Sequence, residues 1–443
     1  MLFSDGRRRL LNGLCLLLLF MGTGREAGRT QTIAETDKAN PAMPAEASLA
    51  AIYITQPDST ATGPATANSG RTKFNIARLF SNTAGSANDP NFKPRKVAFV
   101  LGPGVYYSPS TSVAFTIGGQ LYFDALDKRL TDSDLPKDEY NRIRARRSNL
   151  LIGLHGTIRS QFALELTPEL YFLNRRLMLK GFIYTGYWPG FFWGIGGKTP
   201  DENKEQYNQI IQTADLRLTY DVGHGVFLGL GTSYFFYDIL SKKAGPLTET
   251  TIPGQDLAVG IGPMVSLIYD TRNDNTRPLK GSLISVDANY NAAIKSYSGH
   301  FGKLTMDVRH YFHIPQKKQH IDHVFALNLV ASSTVGQGIP FQELPRMADR
   351  TYARGIIRDR FIDRHMMALQ AEYRFYWKWL GFAVFGCAGD VGPTLEEAWH
   401  FNKITYGIGL RVKPFRNLPF TIRGDMGFYR GKPEFYVGIN ELF

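Results

Sequence analysis

Residues 352–374 read YARGIIRDRFIDRHMMALQAEYR, a charged loop that passes through Arg354 and Gly355 straight into a strand. There Met367, Leu369, Ala371, Tyr373 and Phe375 alternate with Ala368, Gln370, Glu372 and Arg374. Successive side chains of a strand point to opposite faces, so one face is oily and the other carries a carboxylate and a guanidinium. The same period of two recurs along the chain. Ile284, Val286, Ala288 and Tyr290 alternate with Ser285, Asp287 and Asn289, and Leu304, Met306 and Val308 with Lys303, Thr305, Asp307 and Arg309. Near the end, Phe420, Ile422, Met426 and Phe428 alternate with Thr421, Arg423, Asp425 and Tyr429. Sixteen candidate strands fall between Val97 and Phe443.

A soluble sandwich and a membrane barrel share this pattern with the faces exchanged, so the ends of the chain decide between them. Arg7, Arg8 and Arg9 precede an apolar run from Leu10 to Met21, which reads as a signal peptide over residues 1–28. Cys15 lies inside that run as signal packing. No later apolar run reaches about 18 residues, which excludes transmembrane helices and leaves a closed barrel as the spanning form. Residues 29–94 are rich in Ala, Thr, Ser, Asn and Pro and read as a flexible, low-complexity lead, with one short amphipathic turn at 73–80. At the other end, EFYVGINELF keeps Phe435, Val437, Ile439 and Phe443 in step, with Glu441 as the exception. Phe443 is expected as a terminal aromatic on the lipid face.

The expected fold is therefore all-β: a 16-stranded antiparallel transmembrane β-barrel over 95–443 behind a disordered N-terminal lead. An even strand count puts both termini on the periplasmic side of an outer membrane. The short turns at 174–176, 223–225 and 416–419 then lie inside and the long loops at 189–206, 241–255 and 336–364 outside. The long charged segment 124–147 is the exception on the periplasmic side and a candidate contact for an accessory protein. The net charge of +12 suits anionic lipid headgroups or polypeptide in an exported chain, rather than nucleic acid. Cys387 is the one cysteine outside the signal, so no internal disulfide is expected.

Pro103 lies between Gly102 and Gly104 in the first strand. A proline cannot donate to a ladder and belongs at an edge or bulge. The first strand meets the last at the closing seam, where Gly438 and Phe443 lie, so this seam is expected to be weak and to open sideways. In YDTRNDNTRPLKGS, Asp270 and Arg272 precede a turn closed by Pro278 and Gly281, which reads as a stapled hairpin. No hydrolase arrangement of nucleophile and base stands out, so the chain is not expected to be an enzyme, and no cofactor is implied. His310, His313, His320 and His323 flank one turn without a strong metal-ligand spacing.

ARGI at the sixth outer loop, QAEYRF on the twelfth strand, VFGCAGDVG on the thirteenth and the YDTRNDNTRPLKGS turn together resemble the BamA/TamA-type barrels of the bacterial surface antigen superfamily. YYSPST in the first hairpin resembles members without large periplasmic domains, and no POTRA domain is evident here. The resemblance implies that Arg354 reaches into the lumen to pair with acids on the twelfth and thirteenth strands, beside Gly355, Phe385 and Gly389. Glu372 matches the first acid. Cys387 stands where the family has Asp, and Asp390 is the available substitute, at the wrong strand parity. Read without the family, Arg346, Arg350, Arg354 and Arg358 would suit one face of a helix, against which Pro345 and Gly355 argue. The implied function is insertion or translocation of protein or lipid at the outer membrane, with outer-membrane lipid and unfolded polypeptide as partners. The alternatives are a passive pore constricted by the sixth loop and a structural anchor for a partner.

Overall fold

A computed structural model describes residues 52–54 and 97–443, apart from 109–111, 124–145, 147, 159–160, 174, 243–244, 296–298, 316–320, 350 and 414–420. The signal, most of the lead including 73–80, and nearly all of the 124–147 segment lie outside the described residues.

The long strands are Val97–Ser108, Ser112–Phe123, Ser148–Thr157, Phe162–Phe172, Leu177–Phe192, Glu205–Gly223, Val226–Lys242 and Leu257–Asp270 in the first half. Gly281–Lys295, His300–Ile314, Ile321–Gln337, His365–Trp377, Leu380–Gly392, Lys403–Val412, Ile422–Tyr429 and Lys432–Ile439 make the second. Each pairs antiparallel with the next, through fifteen ladders. No helix among the described residues is long and apolar enough to cross a membrane.

The side chains take the inside-out arrangement. Leu230, Val384 and Ile404 face outward and are 59–70% exposed, whereas Glu372, Arg374 and Arg411 are at most 1% exposed. Water-soluble sheets do the reverse, because burying a charge is costly unless it is paired. Here the charges are paired across the lumen, and the outward face is the apolar one that lipid requires.

Two features differ from the sequence expectation. Among the described residues the sheet holds a seventeenth strand beside the sixteen expected, because Ile52–Ile54 in the lead pairs with Phe99, Val100 and Leu101 on the first long strand. Isoleucine and tyrosine have high strand propensity, and that edge offers unpaired backbone groups. The first and last long strands are neighbours, but they meet over a much shorter stretch than any other adjacent pair of long strands. Gly102, Pro103 and Gly104 pair on their other side with Gly118, Ile117 and Thr116.

The second difference is at the C-terminal end. The last strand stops at Ile439, opposite Ile422. Asn440 takes a φ of 61°, and Glu441, Leu442 and Phe443 turn into the lumen. Phe443 is 2% exposed and packs with Tyr311, Val324, Ala326, Tyr376, Leu442 and Leu279. It does not lie on the lipid face. The reason is Glu441, the residue out of step in the sequence: it pairs with Arg411 inside, and continuing the strand would not let both that carboxylate and the ring bury themselves.

The two ends of the lumen are filled differently. At the long-loop end, Ile339, Phe341, Leu344 and Ile362 of the sixth loop pack with Phe192, Tyr207, Phe235, Tyr237, Leu247 and Phe301. At the end that carries the tail, charged side chains predominate.

Candidate functional site: the lumenal charge network

The sixth loop folds into the barrel as irregular backbone, not as a helix. Its two halves are tied by the Arg346 to Ile362 bridge, by the Met347 amide donating to the Phe361 carbonyl at 2.9 Å, and by Arg346 donating to Asp359 at 2.6 Å. Tyr352 donates to the Arg346 carbonyl at 3.0 Å, and burial pushes its phenol well above the usual range. Arg350 lies outside the described residues.

At the tip, Gly355 adopts a φ of 108°, a conformation that side chains rarely take. A Cβ there would meet the Phe428 carbonyl carbon at 2.7 Å, and one on Gly427 would meet the Gly355 nitrogen at 2.7 Å. Only with glycine on both sides does the loop backbone lie against the barrel wall. The Gly355 amide donates to the Tyr436 hydroxyl at 2.9 Å. Gly389 gives similar room to Met347, whose Cε would lie 2.6 Å from an added Cβ.

This close approach delivers Arg354 to the interior, where it is 4% exposed. Its guanidinium donates to Glu372 and to Asp425 at 2.7 Å, and it lies 3.4 Å above the Phe385 ring. The first acid is the one expected. The second is neither at Cys387 nor at Asp390 but on the Ile422–Tyr429 strand. Asp390 instead pairs with Lys403 and accepts from Asn402 at 3.0 Å. Cys387 packs with Ala353, Met347 and Tyr352 in an apolar cluster, and Arg354 Nε is buried without a partner.

Register explains why Asp425 is within reach. It pairs with Gly409, Gly409 with Ala383, and Ala383 with Arg374, so Asp425 stands level with the Glu372 to Arg374 stretch three ladders away. The intervening glycine and alanine leave the space between them open. Parity in the sequence gives the face of Asp425 but not its height.

The network extends beyond the loop. Arg411 donates to Glu372 at 2.6 Å, to Asp425 and to Glu441 at 3.2 Å. Arg374 donates to Glu372 at 3.0 Å and to the main-chain oxygen of Phe443 at 2.9 Å. Its guanidinium sits 4.9 Å from the Phe443 ring. Arg423 adds a bond to Asp425 at 2.5 Å, and Gly438 pairs opposite Arg423. Four guanidinium groups thus face three carboxylates, all nearly withdrawn from solvent, where charge-assisted hydrogen bonds are strong and an unpaired charge is costly.

In the turn after Asp270, Arg272 forks onto Asp270 at 3.0 and 2.7 Å. Asn273 caps the Leu279 and Lys280 amides, and Gly281 has a φ of 103°. Beyond this stapling, the Thr276 carbonyl accepts from the Glu441 amide at 3.4 Å, and Leu279 packs against the tail cluster. Of the four histidines near one turn, His310 contacts Ser282, His313 contacts Asp322 and His323 contacts Tyr373; His320 lies outside the described residues. Near the outer rim, Arg360 holds the Asp201 carboxyl below the usual range through their hydrogen bond, at 2.7 Å.

The Omp85 superfamily domain matches residues 139–420. No curated protein matches the chain. Among solved structures, the crystal structure of BamA from Haemophilus ducreyi lacking POTRA domains 1–3 is similar at 12% identity over 82% of this chain and 77% of that one, with a TM-score of 0.45. That likeness is too slight to add to the fold described above.

Proposed function

The chain belongs to the Omp85 superfamily, whose members insert or translocate polypeptide at outer membranes, and from that premise we propose that this protein assists the insertion or translocation of unfolded polypeptide through the seam between its first and last long strands. The observation that carries the reading is the seam itself. Fifteen long ladders join successive strands, and where the first and last strands meet the contact is much shorter than at any other junction. Pro103 and its flanking glycines weaken the first strand as a partner at that place. Arg354, Glu372 and Asp425 hold the sixth loop inside against the twelfth and fifteenth long strands, beside the last strand of the seam. In this reading both termini are periplasmic, and segment 124–147 meets an accessory periplasmic protein.

The filled lumen weighs against a passive pore: one end is packed with aromatic side chains and the other with paired charges and the tail.

The test uses a Cys387→Ala background with one cysteine in Val97–Tyr107 and one in Glu434–Ile439, so that oxidation ties the seam. Locking is expected to reduce insertion of outer-membrane proteins, read from the outer-membrane proteome of cells depleted of the native protein. Full activity when tied would overturn the seam. Planar-bilayer conductance adds a second readout, with little steady current expected.

A further inference from the structure

The tail after the last strand is fastened to the same charged groups that hold the sixth loop. Asn440 donates to the Thr421 carbonyl at 2.7 Å, and its side-chain amide donates to Gln120 at 2.9 Å on the Ser112–Phe123 strand, past the first long strand. Glu441 then accepts from Arg411 at 3.2 Å and from the Tyr376 hydroxyl at 2.9 Å. Phe443 offers its main-chain oxygen and its ring to Arg374. The Glu441 amide bonds to Thr276 on the turn that follows Asp270. The tail thus touches the second, twelfth and fourteenth long strands and the turn across the mouth, although it belongs to a seam strand.

Arg374 and Arg411 also hold Glu372, and Glu372 is the acid that binds the loop Arg354. One carboxylate therefore stands between loop and tail, with a guanidinium on each side shared by both. If the loop arginine leaves, Glu372 is left to Arg374 and Arg411, and the geometry that presents these two to the tail is no longer fixed. If Glu441 loses its charge, four guanidinium groups face two carboxylates in a buried site, and Arg411 has only Glu372 and Asp425 left to satisfy it. Coupling through shared buried charges is strong because little water is present to substitute for a missing partner.

We infer that the tail is a latch, and that its closure on Arg374 and Arg411 is energetically coupled to insertion of Arg354, so that the seam strand and the sixth loop are released together. The consequence for client passage rests on the proposed seam; the coupling itself does not.

Linkage requires the coupling to be reciprocal. The experiment is amide hydrogen exchange on the full-length protein in lipid nanodiscs, comparing the parent with Arg354→Ala and Glu441→Gln. Arg354→Ala is expected to speed exchange in peptides covering 432–443, and Glu441→Gln in peptides covering 351–364, each by roughly tenfold and by similar factors. Substitutions that each loosen only their own segment would overturn the latch. Heat-modifiable gel mobility identifies variants that have not folded. In that event Arg374→Lys, which keeps the charge but loses the fork, takes their place: faster exchange in both segments supports the coupling, and faster exchange in one alone refutes it. A seam shown inert by crosslinking would leave these exchange results standing, so the two proposals fail separately.

Discussion

The lumen is closed twice, by opposite chemistries. At the long-loop end, Phe341, Leu344 and Ile339 pack on Phe192, Phe235 and Tyr237, a contact that is non-directional and grades smoothly with buried area. At the tail end, Arg354, Arg374, Arg411 and Arg423 meet Glu372, Asp425 and Glu441. A buried charge network is worth little if any member lacks its partner. The apolar plug therefore tolerates repacking, whereas the charged one is either assembled or not. A closure intended to hold suits the first kind, and one intended to switch suits the second.

Four outcomes would sharpen or break this contrast. The largest effect is expected from Glu372→Ala, which removes the acceptor shared by three buried guanidinium groups: a loss of about 3–5 kcal/mol, read from denaturant unfolding in detergent or liposomes. A loss under about 1 kcal/mol would mean that the pairs are open to water. Phe341→Ala is expected to cost about 3 kcal/mol through its cavity, with the loop arginine still protected and the exchange of 432–443 unaltered. Change in the tail from this variant would show that the two closures are one. Cys387→Asp places a carboxylate beside the loop backbone with the unpartnered Arg354 Nε available to it. The gain in pairing offsets the desolvation, and the expected change is within about 1 kcal/mol. A loss of several kcal/mol would mean that the new acid does not reach Arg354.

The smallest effect is at the exposed rim. Arg360 depresses the Asp201 carboxyl, so its folded value lies below its unfolded one. The stability from this pair is present above the unfolded value and is lost as pH falls through the folded one. Protease cleavage within 341–364 is expected to rise modestly as pH drops below about 4, and Asp201→Asn should flatten that response. A response of equal size in the variant would assign it to other carboxylates.

Much of this was readable in advance, for specific reasons. Period two places Gln370, Glu372 and Arg374 on one face and Leu369 and Tyr373 on the other, and the sign of the environment follows from where the charges can find partners. The pairing of Arg354 with Glu372, eighteen residues on, followed from the resemblance to the BamA/TamA-type barrels and not from the spacing itself. Asp425 was not legible as a partner, because its height depends on the registers of three successive hairpins. The inward tail was not legible either. A period-two reading extends a strand indefinitely, and only the out-of-step Glu441 hinted that the chain would leave it. The extra strand, Ile52–Ile54, is too short to stand out from its Ala- and Thr-rich surroundings.

That three-residue piece has a mechanical corollary. Its backbone occupies Phe99 to Leu101, the section of the first long strand nearest to Gly102 and Pro103. On the proposed function, a client strand adding itself to this margin would displace a resident held over only three residues, and one that stays covalently joined to the barrel. The protein thus carries its own placeholder on the strand where the seam contact is shortest.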